Sequence, residues 1–159
     1  MRIIELSNQP RTLFASRPLL NVDDVREWAK SQGFVSTLED GDMHVTIAFS
    51  KEKFDWSRFK PLETRLTIRG GDRKVKLFGD DANVLTFQSN KLYDRWAEFV
   101  DAGASWDFPK YIPHVTISYE GEKINLKNME PFTGDLVFGP ESLHELNDEW
   151  ADNLEEVPL

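Results

Sequence analysis

The chain has 159 residues, of which 40% are hydrophobic, and it carries a formal net charge of -9 and no cysteine. This length suits one core, so we expect residues 1–159 to form a single domain. The lack of cysteine excludes disulfides, thiolate zinc sites and cysteine nucleophiles, and the negative charge argues against a long nucleic acid as partner, because Lys and Arg supply most phosphate contacts.

Short strands alternate with two helices along the chain. The hydrophobic pattern predicts strands at 12–17, 44–50, 64–69, 73–78, 83–88, 114–119 and 135–138. The first helix is predicted over 22–32, with Asn21 as its N-cap and Gly33 as its stop, and the second over 91–102, ending before Gly103. This mixture predicts an α+β fold.

A degenerate duplication relates the two halves of the chain. The segment HVTIAF at 44–49 begins eleven residues after Gly33, and HVTISY at 114–119 begins eleven residues after Gly103. Each half ends a helix at glycine, crosses a loop and enters a similar strand. The period of 70 residues predicts two pseudo-symmetric lobes rather than a solenoid.

The repeated strand carries side chains suited to phosphodiester chemistry. Strand alternation places His44 and Thr46 on one face and Val45, Ile47 and Phe49 on the other, and the pair His114 and Thr116 follows the same rule. If the lobes are related by a pseudo-twofold axis, two imidazoles face one phosphate. One would take the proton of an attacking 2'-hydroxyl, the other would protonate the leaving oxygen, and the threonines would bind the phosphate oxygens, without a metal or other cofactor.

Other interpretations of the histidines are weaker. A single His-x-Thr on a strand is ordinary, but here the motif occurs twice at the same offset and uses two of the three histidines. A zinc site would need more ligands, and the sequence has no His-Glu-x-x-His motif. His144 is the only spare histidine, and we expect it on the surface of the acidic segment 139–159.

The two His-x-Thr motifs resemble those of the two-histidine (2H) phosphoesterase superfamily. The resemblance covers most of the chain. It implies two pseudo-symmetric lobes with antiparallel sheets that form a central cleft, helices on the outside, no cofactor, and catalytic roles for four residues: His44, Thr46, His114 and Thr116.

The second half of the chain resembles a narrower family, the bacteriophage anti-CBASS proteins, which degrade cyclic oligonucleotide messengers of bacterial antiviral defence. This resemblance rests on the stretch from Phe108 to Tyr119 and on the ending from Glu141 to Leu154. It implies that Glu141 and Trp150 contact a nucleobase, although each could instead be structural. The family has a tyrosine on its first strand and a tryptophan near its middle, where the nearest counterparts are Phe14 and Phe78.

These observations favour a phage-type enzyme that hydrolyses small cyclic di- or trinucleotides such as 3',3'-cGAMP and so evades host immunity. An RNA 2',3'-cyclic or 2',5'-phosphodiesterase and a catalytically silent nucleotide-binding module share the same motifs. No run approaches the roughly 18 apolar residues of a membrane helix, so we expect a cytoplasmic protein that acts in the host if phage-encoded. The duplication leaves open which histidine is the acid.

Overall fold

The computed structural model describes residues 9–146. The strands are β1 (Arg11–Pro18), β2 (His44–Phe54), β3 (Leu66–Ile68), β4 (Lys74–Phe78), β5 (Ala82–Thr86), β6 (His114–Ser118), β7 (Leu136–Phe138) and β8 (Ser142–His144). The helices are α1 (Val22–Ser31), α2 (Asn90–Asp101) and a short 3-10 helix (Gly121–Lys123). The predicted α+β class and seven strands are confirmed, whereas β8 was not predicted.

The strands form a six-stranded sheet in the order β4-β5-β6-β2-β1-β8 and a small sheet of β3 and β7, with antiparallel pairing throughout. The large sheet consists of two three-stranded halves, β4-β5-β6 and β2-β1-β8. Each half contains a strand, a helix and a second strand that begins with a repeated motif. Within residues 9–146 the halves are joined at one bridge, between Val45 and Val115. These halves are the two lobes that the duplication predicts.

Both helices end at glycine, as predicted. Gly33 and Gly103 have φ angles of 102° and 122°, which L side chains rarely adopt. The N-termini of the two helices differ. Ser89 caps α2 by accepting from the amide of Leu92 at 3.2 Å, because its hydroxyl reaches the free first-turn donors.

Asn21 occupies the N-cap position of α1, as predicted. Its side chain makes no capping hydrogen bond. Instead its amide donates to the carbonyl of Asp135 at 2.6 Å, and its oxygen accepts from the amide of Val137 at 3.0 Å. Asn21 therefore joins the start of α1 to β7, and its amide also lies 3.4 Å from Oδ2 of Asp24 in the first turn.

The core lies on one face of the large sheet. It contains apolar side chains of both helices, of the small sheet and of the central strands, where Val45 and Val115 are fully buried. The opposite face of the central strands therefore carries the residues that alternate with these valines. Within residues 9–146, neither helix is long and apolar enough to cross a membrane.

Candidate active site

The two motifs lie side by side on the central strands β2 and β6. Val45 is the direct antiparallel partner of Val115, and residues next to an opposed pair are themselves opposed. His44 therefore lies opposite Thr116, and Thr46 opposite His114, with all four side chains on the face away from the core. In ordinary sheet geometry opposed Cβ atoms are about 5 Å apart and diagonal neighbours, here the two histidines, about 7–8 Å apart.

A β-bulge in β2 changes the alternation beyond the first motif. The register between β1 and β2 shifts at Ile47, where β2 has one extra residue. As a result Phe49 lies opposite Phe14 with ring centroids 5.9 Å apart, and the Phe14 ring also contacts His44 at 5.9 Å. The prediction that Phe49 points away from His44 is wrong, because alternation fails where a bulge inserts a residue.

The same backbone contact holds each imidazole. Nδ1 of His44 lies 2.9 Å from the carbonyl oxygen of Asp42, and Nδ1 of His114 lies 2.8 Å from that of Ile112. A carbonyl only accepts, so Nδ1 carries the proton and donates in both rings. In the neutral rings Nε2 therefore has the free lone pair that a general base needs.

Burial lowers the pKa of both histidines. The pKa of His114 falls to about 4 through burial, which outweighs the hydrogen bond to Ile112 and is reinforced by the charge of His44. The pKa of His44 is lowered by burial, against the backbone hydrogen bond and the negative charge of Asp42. Both rings are therefore neutral at pH 7, and a proton shared by the pair is more favourable on His44, beside Asp42.

Two polar atoms in the motifs are buried without a partner. Neither Oγ1 of Thr46 nor Nε2 of His114 makes a hydrogen bond within residues 9–146, although the two residues lie opposite each other. A buried polar group without a hydrogen bond costs about 1–3 kcal/mol, and such groups cluster at functional sites. These atoms mark a place where a bound group would supply the missing hydrogen bonds.

An aromatic pocket of about 410 Å³ opens beside His114, within the usual size range of ligand sites. Phe78 contacts the imidazole edge-on, with ring centroids 4.8 Å apart. Trp106 and Phe108 form further walls, and Lys110 lies at the same pocket. Sequence reasoning did not select these three residues, although an aromatic cluster immediately before His114 was a usable signal.

Phe14 and His144 lie at the other end of the motif face. Phe14 is 7% exposed and its ring is surrounded edge-on by those of His44, Phe49 and His144. The prediction that His144 is a surface residue is wrong. In β8 it pairs with Phe14, and its Nδ1 lies 3.2 Å from the hydroxyl of Ser142, because the acidic segment begins as a strand of the large sheet.

Glu141 lies in an ion pair. Its side chain is fully buried, with one oxygen 2.9 Å from Nη2 and the other 3.0 Å from Nε of Arg95, and it accepts from the amide of Leu62 at 3.0 Å. A nucleobase would have to displace these partners to reach the carboxylate, so base binding by Glu141 stays a prediction. Trp150 lies outside the described residues.

No group of three or more His, Cys, Asp or Glu side chains in the described range is arranged to hold a metal ion. Two neutral imidazoles and two hydroxyls lie on one face, with an aromatic pocket beside them.

Comparison with known proteins identifies the family that this chain matches. The family model described as "Anti-CBASS protein Acb1" matches residues 11–153. Relatives of that description from Caulobacter sp. (strain RHG1) and Sphingomonas paeninsulae are 46% and 42% identical over 94% and 89% of this chain. This chain spans 25% and 24% of their lengths, about a quarter. One from Acinetobacter phage Ac42 is 36% identical over 49% of this chain and 51% of its own.

Solved structures of E. coli LigT share the fold. The complex with NADP+ superposes with a TM-score of 0.60 at 14% identity, and the complex with 3'-AMP with 0.57 at 14% identity. Each comparison covers 86% of this chain, and 88% of the LigT chain. The predicted 2H phosphoesterase fold is confirmed.

Proposed function

Because this chain belongs to the Acb1 family of anti-CBASS proteins, we propose that it is a phosphodiesterase that hydrolyses cyclic di- and trinucleotide messengers such as 3',3'-cGAMP. Its biological role would be immune evasion, with the enzyme acting in the cytoplasm of a bacterium whose defence depends on such messengers. The relative from Acinetobacter phage Ac42 supports a phage-type role.

The observation that carries the proposal is the pair of unsatisfied atoms between the motifs. Oγ1 of Thr46 and Nε2 of His114 are buried, opposed and without hydrogen bonds in the described range. A phosphate has acceptor oxygens for the threonine hydroxyls, and the oxygens that gain or lose protons during cleavage would lie beside the imidazoles. A diester bound here would meet both groups at once.

In the proposed reaction the 2'-hydroxyl attacks the adjacent phosphorus and transfers its proton to Nε2 of one histidine. The bond from phosphorus to the 5'-oxygen breaks, and that oxygen takes a proton from Nε2 of the other histidine, which must enter the reaction as an imidazolium with protons on both ring nitrogens. The product is a linear nucleotide with a 2',3'-cyclic phosphate, which water opens with the roles of the histidines reversed. General acid and base catalysis each contribute perhaps 10²–10⁴-fold.

The electrostatics of the two rings support one assignment of their roles. Asp42 favours a proton on His44, whereas the charge of His44 disfavours one on His114. We therefore assign His114 as the base that accepts the 2'-hydroxyl proton and His44 as the acid that protonates the leaving oxygen. Thr46 and Thr116 would hold the nonbridging oxygens, since each lies opposite one of the histidines.

The aromatic pocket would hold one nucleobase. Its walls from Phe78, Trp106 and Phe108 offer ring faces and edges, and Lys110 offers a positive charge for a second phosphate. Phe14 supports the ring of His44 and would bound the opposite end of the substrate. Roles for Glu141 and Trp150 at a second base remain part of the proposal by family resemblance.

The test is product analysis with purified protein and a chelator, across a panel of cyclic di- and trinucleotides and a linear RNA ending in a 2',3'-cyclic phosphate. We expect linear products from the cyclic messengers, and loss of at least about 10³-fold in His44→Ala and His114→Ala. Cleavage of the RNA end alone would identify the other phosphodiesterase class. Binding without turnover would identify a silent module, and dependence on added metal would exclude the mechanism above.

A further inference from the structure

The two lobes meet at a narrow junction. Within residues 9–146 the central strands pair only through Val45 and Val115, whereas β1 and β2 pair along most of their length. The relative position of the two histidines depends on this junction, because each lobe contributes one of them. Contacts that cross it therefore decide whether both rings reach one phosphate.

One side chain crosses the junction next to the motifs. Tyr111 belongs to the segment that precedes β6, and its hydroxyl donates to the carbonyl oxygen of Thr46 in β2 at 2.7 Å. The acceptor belongs to the residue opposite His114 and directly precedes the bulge at Ile47. The bond therefore fixes β2 where its regular pairing is interrupted.

Packing holds the phenol ring of Tyr111 in place. Tyr111 is 6% exposed, its ring stacks on that of Trp96 with centroids 5.5 Å apart and planes 11° apart, and Trp106 packs edge-on against it. Burial raises the pKa of Tyr111 above its ordinary value, so the hydroxyl keeps its proton and remains a donor. Helix α2 and the loop before His114 thus hold the donor against the other lobe.

A reciprocal bond crosses in the opposite direction. The amide of Leu38, in the loop before β2, donates to the carbonyl of Ile117 in β6 at 2.9 Å. The carboxylate of Glu120 accepts from the amides of Val35 and Ser36 in the same loop, at 3.0 and 3.2 Å. Both loops that lead into a motif are therefore tied to the opposite lobe, and among the described residues Tyr111 is the one side-chain donor to a motif residue of the opposite lobe.

We propose that Tyr111 is a positioning residue, whose hydroxyl holds the strand of His44 and Thr46 in register with the strand of His114 and Thr116. The proposal rests on the proposed function for its catalytic consequence. Tyr111 does not touch the phosphate. Its bond to the Thr46 carbonyl sets the spacing of the imidazoles, and a misplacement of about 1 Å at a reacting centre costs roughly 10²-fold in rate.

The test compares Tyr111→Phe with Tyr93→Phe. Both variants remove one hydroxyl from a tyrosine whose ring contacts Trp96, but Tyr93 is 50% exposed and makes no hydrogen bond across the junction in the described residues. The kinetic parameters of each variant are measured at a temperature equally far below the melting temperature of that variant. We expect Tyr111→Phe to lower kcat by about 10–100-fold with KM changed less than about 3-fold, and Tyr93→Phe to match the wild type.

Hydrogen exchange at the amides of Thr46 and Thr116, which face the opposite central strand on either side of the Val45–Val115 pair, provides a readout that does not depend on turnover. We expect faster exchange in Tyr111→Phe than in Tyr93→Phe, because the junction loosens. Unchanged exchange, or an unchanged kcat with only a lower melting temperature, would overturn the proposal. So would failure of Tyr111→Phe to fold, which would make the hydroxyl a requirement of the fold. If the wild type has no activity, the proposed function fails and exchange alone decides the role of Tyr111.

Discussion

Val45 and Val115 face each other at the one point where β2 and β6 pair within the described residues, and both are fully buried. Their side chains point into the core, so the residues on either side of each valine point to the opposite face. This single pairing turns two motifs that are 70 residues apart into one set of four polar side chains.

Thr46→Val should separate activity from stability. The Thr46 hydroxyl is buried without a partner in residues 9–146, so a methyl group of similar size removes an unsatisfied polar atom. We expect the free energy of unfolding to stay the same or rise, while kcat/KM falls by about 10–10³-fold because a phosphate ligand is lost. Denaturant unfolding and steady-state kinetics measure the two effects. Loss of stability by more than about 1 kcal/mol would mean that the hydroxyl is already bonded in the free protein.

The acid and base roles can be separated with an activated leaving group. A 4-nitrophenyl ester of a ribonucleoside 3'-phosphate releases a phenolate that needs no proton. His44→Ala should therefore recover most of its lost activity on this ester relative to a cyclic dinucleotide, whereas His114→Ala should stay impaired on both because the base is missing. Equal rescue of both variants, or rescue of His114→Ala alone, would contradict the assignment.

Acid should destabilise the fold through His114. Its folded pKa of about 4 lies below the ordinary value of about 6.5, so the unfolded chain binds more protons between these values. The contribution of His114 to the free energy of unfolding is therefore fully present above about pH 6.5. It decreases toward pH 4 by about 3 kcal/mol in total. His114→Gln should show a shallower loss over this range in denaturant unfolding. Parallel curves for the variant and the wild type would place the titration elsewhere.

Phe78→Ala should weaken substrate binding. Phe78 forms a wall of the pocket beside His114, and base stacking on an aromatic ring contributes about 1–3 kcal/mol, or roughly 5–150-fold in KM. Phe78→Trp keeps an aromatic wall and serves as the matched variant, for which we expect near wild-type affinity. Calorimetry with a nonhydrolysable cyclic dinucleotide gives the affinities, and equal binding by the alanine variant would remove the pocket from the substrate site.

Glu141→Gln tests the ion pair against the base contact. The Glu141 carboxylate is fully buried against Arg95, so removing its charge leaves a largely buried cation whose remaining ion-pair partner within residues 9–146 is the exposed Glu98. We expect a loss of roughly 3 kcal/mol in stability, with little change in KM when the assay is run well below the melting temperature. A raised KM without a stability loss would instead support the contact with a nucleobase that the family resemblance implies.

Sequence by itself determined the local features of this protein. The repeated His-Val-Thr-Ile segments, the glycine stops of both helices and the seven strands follow from short-range patterns, because strand alternation and positive φ angles depend on neighbouring residues. The same patterns identified the four motif residues and, through resemblance, the family.

Only the tertiary structure decided how these pieces meet. The bulge at Ile47 places Phe49 on the motif face, Arg95 forms an ion pair with Glu141, and the side chain of the N-cap residue Asn21 bonds to residues more than 110 positions away rather than to the amides of its helix. These features depend on residues that are distant in the sequence and come together only in the folded protein. No local sequence pattern therefore encodes them. The spacing of the two imidazoles belongs to this second group, since it depends on one bridge between two lobes.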